Sequence, residues 1–282
     1  MSPERGVPAT PLNMAKDDPI WQPRHREAAG TSYWATSRRP LQILVFLLPL
    51  VVLYELGLAL LLRSESGIIT NKAHESLLRF FDAFGINASS GLFLGGLAIV
   101  IVLLVWHLLV REPWKVDLAA AGLMALESLV LVAPLLVIGR IVSQVAGLAG
   151  VAAALPSTAP GVALSDLDPW SEVAISVGAG LYEELLFRMM LIAALHTLLV
   201  DVGKASHRVG TGIALVVSSA AFAAYHPLAD ATGGFSFSRL IFYFLAGLYF
   251  GAVYIVRGFG VVVAVHAFYD ILTFAISHDG GP

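Results

Sequence analysis

The chain has 282 residues, of which 57% are hydrophobic and 13% charged, with a mean hydropathy of +0.80, a balance far from that of a water-soluble domain. A net charge of −3 and a pI near 6.2 leave no basic surface for nucleic acid and no acidic tail for a cationic partner. The absence of cysteine removes disulfides, thiolate metal ligands and a cysteine nucleophile together. The apolar residues fall into blocks of about 20, each able to cross a ~30 Å hydrocarbon core. The expected fold is therefore all-α, a polytopic transmembrane helix bundle with membrane lipid as its main solvent.

Residues 1–40 carry six Lys/Arg and four Asp/Glu among several prolines, without the apolar core near Met1 that a signal peptide needs, and read as a polar arm expected to be disordered. Tyr33 and Trp34, followed by Arg38 and Arg39, suit the headgroup layer ahead of the first span. Seven stretches qualify as spans: 41–62, 91–110, 118–138, 173–200, 209–226, 238–257 and 259–277. Between the first two, His74 to Gly85 sets Leu77, Leu78, Phe80, Phe81 and Phe84 among charges with a helical period, so a helix is expected there, along the interface or within the loop. Residues 141–162 are apolar yet rich in Ala, Gly and Pro, and fit either a re-entrant segment or an eighth span. The bundle is thus assigned to residues 41–277.

Arg38, Arg39, Arg111, Lys115, Lys204, Arg208 and Arg257 all fall on one side in this arrangement. The opposite loops hold only Arg140 in 139–172 and no Lys or Arg in 227–237, although 63–90 carries Arg63, Lys72 and Arg79. Cytoplasmic loops keep their Lys and Arg. The N-terminus is expected inside and the C-terminus outside, in the cell membrane.

A charge within hydrocarbon is costly enough to require a partner or a wet cavity. The densest case is Leu181 to Met190, where Glu183, Glu184 and Arg188 lie inside a long apolar segment. On a helix Glu184 and Arg188 share a face, while Glu183 points about 100° away. One arginine cannot neutralise two carboxylates, so pairing with Glu184 would leave Glu183 free for chemistry. His226 ends the next span, and His266 with Asp270, four apart on one face, lies in the last. If 201–208 is the turn of an antiparallel pair, Glu183 and His226 are equally far from its centre and share a depth. His266 follows Arg257 by nine residues, ~13 Å of rise, and is too shallow unless the turn at 257–260 is sunk or the last helix tilts.

Peptide hydrolysis needs a base for water, stabilisation of the oxyanion and a proton donor for the leaving amine. Glu183, Glu184, Arg188, His226, His266 and Asp270 can supply these directly. They can also do so through a divalent metal such as zinc, held by His226, His266 and a carboxylate, drawn here as Glu184, with an open position for water. The zinc-helix motif HExxH is missing, since His74 and Glu75 are followed by Ser76, Leu77 and Leu78. A two-aspartate mechanism lacks its second aspartate, and Ser218 and Ser219 read as helix-packing residues.

These positions resemble the motifs of the CPBP family, the CAAX prenyl protease and bacteriocin-processing (Abi) intramembrane endopeptidases. EExxxR is matched by Glu183, Glu184 and Arg188, FxxxH by Phe222 and His226, and HxxxN/D by His266 and Asp270, over about residues 170–277. The resemblance implies an intramembrane endopeptidase acting on a membrane-associated peptide or protein. It further implies that Glu183 and His226 activate water, and that His266 and Asp270 hold the oxyanion or a metal. Asp270 stands where prenyl-protein members carry Asn, and an ionised aspartate cannot donate to an oxyanion. Glu55 and Glu127 are expected to pack, to pair with Arg or to line the same cavity, His107 to lie at the interface, and His196 and His207 to be incidental. Two competing readings use the same residues otherwise: a non-proteolytic immunity factor or scaffold, and a transporter with a proton relay, for which no inverted repeat is visible.

Overall fold

The computed structural model describes residues 32–64, 67–85, 93–145, 167–229 and 233–279. Among them the chain is helical apart from one antiparallel pair of two-residue strands, Arg63–Ser64 and Gly67–Ile68. The helices are α1 (Tyr33–Thr36), α2 (Pro40–Leu60), α3 (Lys72–Asp82), α4 (Leu94–Val110), α5 (Leu118–Val130), α6 (Ala133–Val145) and α7 (Pro169–Glu184). α7 runs on through a π-helical stretch, Leu185–Ile192, the short α8 (Ala193–His196) and a second π stretch, Thr197–Val202. It is followed by α9 (His207–Tyr225), α10 (Phe237–Arg257) and α11 (Phe259–Asp279).

Six units are long and apolar enough to cross a membrane: Pro40–Leu60, Leu118–Val145, Pro169–Val202, His207–Tyr225, Phe237–Arg257 and Phe259–Ile276. α4, with 17 residues, is apolar but shorter. The protein is an integral, multi-pass membrane protein built as a helical bundle. Every expected span is a helix, and the third is longer than the hydropathy suggested, because α6 continues it to Val145. Of the segment 141–162 only its first residues, in α6, are described. The remainder, and residues 1–31 of the polar arm, lie outside the described residues.

Helix starts follow local chemistry. Asp168 accepts from the backbone N–H groups of Trp170 and Ser171 at 3.0 and 3.2 Å, and Pro169 fills the first helical position, so α7 begins there. Asn71 caps α3 by accepting from His74 N at 2.7 Å. Gly258, with φ of 91°, turns α10 directly into α11, a conformation that a side chain would strain.

α11 is the hub of the bundle. In its apolar window 72% of residues are buried, against 22% for Leu118–Val145. Phe259, Val263 and Ala267 pack towards α2 and α7, whereas Val261, Val262, Val265 and Tyr269 join the cluster of α9 and α10. The α7–α11 approach is close because Gly180 has no side chain: a Cβ there would lie 2.6 Å from the Val263 carbonyl oxygen and 3.0 Å from Ala267 Cβ.

The turn after α10 is sunk into the bundle. Arg257 is buried and pairs through Nε and Nη2 with Glu127, which lies ten residues beyond the Asp117 cap of α5, ~15 Å along that helix. Its guanidinium also lies over Trp34, 3.9 Å from the ring centroid, and Tyr33 donates to Glu127. α1 therefore covers this corner, and Tyr33 and Trp34 engage the Arg257–Glu127 pair. Arg257→Ala leaves Glu127 with the Tyr33 hydroxyl but without its ion-pair partner, so the unfolding midpoint in detergent should fall by the equivalent of about 2 kcal/mol. The double variant Arg257→Met with Glu127→Met should lose clearly less.

On the opposite end, α3 docks through His74, which exchanges a hydrogen bond with Tyr54 at 2.8 Å and stacks on Tyr182 with centroids 4.4 Å apart. Glu55, placed among packing residues by the sequence, accepts from Gly96 N at 3.0 Å and from the Tyr182 hydroxyl at 3.3 Å. Burial lowers His74 from 6.5 to about 4, so the folded protein holds it neutral. A histidine lowered on folding contributes stability that is complete above 6.5 and fades as pH drops towards 4. Thermal stability should therefore decline between pH 7 and pH 5 in the native chain, and decline less in His74→Gln.

Candidate active site

All six residues singled out in the sequence converge, and all six are buried. α7 delivers Glu183 and Glu184, the π stretch delivers Arg188, the end of α9 delivers His226, and α11 delivers His266 and Asp270. The sunk turn at Arg257 lowers His266 to the depth of the glutamates, which removes the mismatch that a simple residue count gives. π-helical turns are rare and cluster at functional sites; this one begins immediately after the paired glutamates.

Glu184 is engaged on both oxygens. Its Oε2 lies 3.1 Å from Arg188 Nε, an ion pair without hydrogen-bond alignment, and its Oε1 accepts from His266 Nδ1 at 2.7 Å. Arg188 also donates to the Gly247 carbonyl at 3.4 Å and lies over Phe222, 4.2 Å from the ring centroid, and over Phe250 at 5.3 Å. An arginine-bound carboxylate can only accept, so His266 carries a proton on Nδ1. His226 Nδ1 donates to the Phe222 carbonyl at 2.8 Å.

The other nitrogen of each ring faces the second glutamate. Glu183 Oε2 lies 3.5 Å from His226 Nε2 and 3.9 Å from His266 Nε2, and Asp270 Oδ2 lies 3.5 Å from His266 Nε2. Neither oxygen of Glu183 has a hydrogen-bond partner, nor does Asp270 Oδ2. With both Nδ1 protons committed, these four atoms are all acceptors unless a proton is shared among them. A buried set of that kind requires donors from outside the protein. A cavity of about 10 Å³ adjoins it, lined by His226, His266, Asp270, Tyr243, Tyr269 and Phe250 among others. That is room for the centre of about one water.

The carboxylate drawn for a metal, Glu184, is turned away from His226 by its bonds to Arg188 and His266 Nδ1. Glu184 is thus taken up by Arg188 and His266 Nδ1, while His226 Nε2 and His266 Nε2 both face Glu183 instead. Among the described residues no group of three or more His, Cys, Asp or Glu is arranged to hold a metal ion.

Aromatic side chains fix both imidazoles. His226 stacks on Tyr243 with centroids 4.2 Å apart, and His266 on Phe250 at 4.5 Å. Sequence reasoning missed these two because α10 carries no charge in its middle, yet they are seven apart and share a helix face, a signal that was present. Outside the site, His107 is buried and lies edge-on to Trp114, with ring centroids 4.4 Å apart. His196 and His207 stack on one another, 5.4 Å apart.

Residues 166–272 match the family model described as type II CAAX prenyl endopeptidase Rce1-like, which bears out the CPBP resemblance drawn from the three motifs. No curated protein and no solved structure gives a significant match to the chain.

Proposed function

We propose that the chain is an intramembrane endopeptidase of the CAAX type, hydrolysing a peptide bond in a membrane-associated protein or peptide with a water activated by Glu183 and His226. The observation that supports this most is the Glu183 carboxyl group, buried, without a hydrogen-bond partner, and facing the unprotonated Nε2 of His226 at 3.5 Å. A water between them donates one hydrogen to each and turns its lone pair outward to a substrate carbonyl. As its oxygen attacks, Glu183 takes the proton and later passes it to the leaving amine. The one proton shared among the four facing atoms sits on His266 Nε2, the resulting charge is balanced by Glu184 at Nδ1, and that Nε2–H donates to the oxyanion. Asp270 beside that nitrogen orients it. No step is routed through a metal; the carboxylate drawn as its ligand, Glu184, is taken up by Arg188 and His266 Nδ1. The loop charges favour an N-terminus inside the cell membrane; a reporter fused after Pro282 that reads cytoplasmic would reverse that orientation.

The test is cleavage of a farnesylated C-terminal peptide by the full chain in proteoliposomes, before and after exhaustive chelation. Cleavage that survives chelation and is lost in Glu183→Ala and His226→Ala, both still folded, is the expected result. Full activity in both variants refutes the assignment, and activity restored only by added zinc moves the water onto a metal. Variants that fail to fold would instead favour a structural role for the cluster.

A further inference from the structure

Lys72 begins α3 at the end of the bundle where α9 delivers His226. Its ammonium donates to the Tyr225 carbonyl at 2.9 Å and lies over the Tyr225 ring, 4.5 Å from the centroid. Tyr225 directly precedes His226, and the Lys72 charge acts on both Glu183 and His226. The side chain is exposed, with donors left over after the single carbonyl bond. Glu75, one turn along α3, is otherwise committed, pairing with Arg79 at 2.6 Å. Among the described residues no carboxylate pairs with Lys72.

The electrostatics of the site give this cation a task. Glu183, Glu184 and Asp270 place three carboxyl groups against one guanidinium, so a substrate that brings another carboxylate meets an acidic centre. A CAAX-type substrate does bring one, because the motif ends the chain. With three residues beyond the scissile bond, an extended peptide holds its terminal carboxylate about 10 Å from the reacting carbonyl. The counter-charge must then stand at the rim of the site rather than among its catalytic groups, and Lys72 stands at that rim.

We infer that Lys72 is a specificity-determining residue that takes the C-terminal carboxylate of the peptide as it lies across Tyr225. This rests on the endopeptidase reading and adds to it a preference for a free chain end over an internal or capped one.

The experiment uses the full chain with Glu183→Gln, in a detergent with an uncharged headgroup, and two farnesylated peptides that differ only in ending as a carboxylate or a carboxamide. The carboxylate form should bind about tenfold more tightly. Adding Lys72→Gln should bring the ratio to about one, and Lys72→Arg should keep most of it. A ratio near one before Lys72 is changed, a ratio unaltered by Lys72→Gln, or no binding of either peptide overturns the inference. Cleavage by the chain with Glu183 intact reads the endopeptidase assignment separately: if both peptides survive intact while binding still discriminates, only that assignment falls.

Discussion

Glu183→Gln is expected to slow peptide cleavage by about 10³-fold while leaving the bundle folded. Glutamine keeps the volume of glutamate but cannot receive a proton from water. Its amide can donate to the unprotonated Nε2 of His226, which lies 3.5 Å from Glu183 Oε2. The variant should therefore unfold at a temperature no lower than the native chain, since a buried carboxyl group without a partner has been replaced by a donor that finds one. His226→Ala should lower the rate comparably. Because both residues act on one water, the double variant should be scarcely slower than either single one. Initial rates on a farnesylated peptide, together with melting curves of the same preparations, decide the matter. A Glu183→Gln rate within tenfold of native would remove Glu183 from the chemistry.

The second large effect is expected at a residue with no functional group. Gly180→Ala places a Cβ 2.6 Å from the Val263 carbonyl oxygen, and that atom is main chain and cannot swing aside. α7 and α11 must separate, and Glu184, one turn further along α7, is drawn from the 2.7 Å bond that holds His266. Displacement of catalytic groups by tenths of an ångström to 1 Å costs about 10²-fold in rate, and overpacking a tight contact costs about 1–3 kcal/mol. Gly122→Ala is the matching control, because a Cβ there meets nothing within 4 Å, and it should be silent in both rate and melting temperature.

Hydropathy made the bundle legible, since each of the seven expected spans became a helix. The pairing of Glu184 with Arg188 was equally legible from their four-residue spacing, and the shared depth of Glu183 and His226 from their symmetry about the intervening turn. The contact of His266 with Glu184 was not: it depends on the sunk corner at Arg257, and nothing in the local sequence says that Glu127, 130 positions away, reaches up to hold it. Nor did the pattern reveal Lys72, which looked like one of several loop charges until α3 was docked on Tyr182 and Tyr225. Residues whose role is set by neighbours along a helix were readable, and those whose role is set by which helices touch were not.

The position of α11 bears on how the protein is made. This helix follows the other ten described helices in the chain, yet it is the most enclosed of the long ones. The helices translated before it must remain loosely associated in the bilayer until it arrives to fill the space between them. Since it also carries His266 and Asp270, a nascent chain lacks part of this cluster until α11 has been made. Assembly of the cluster and tertiary closure therefore both wait on the insertion of this one helix.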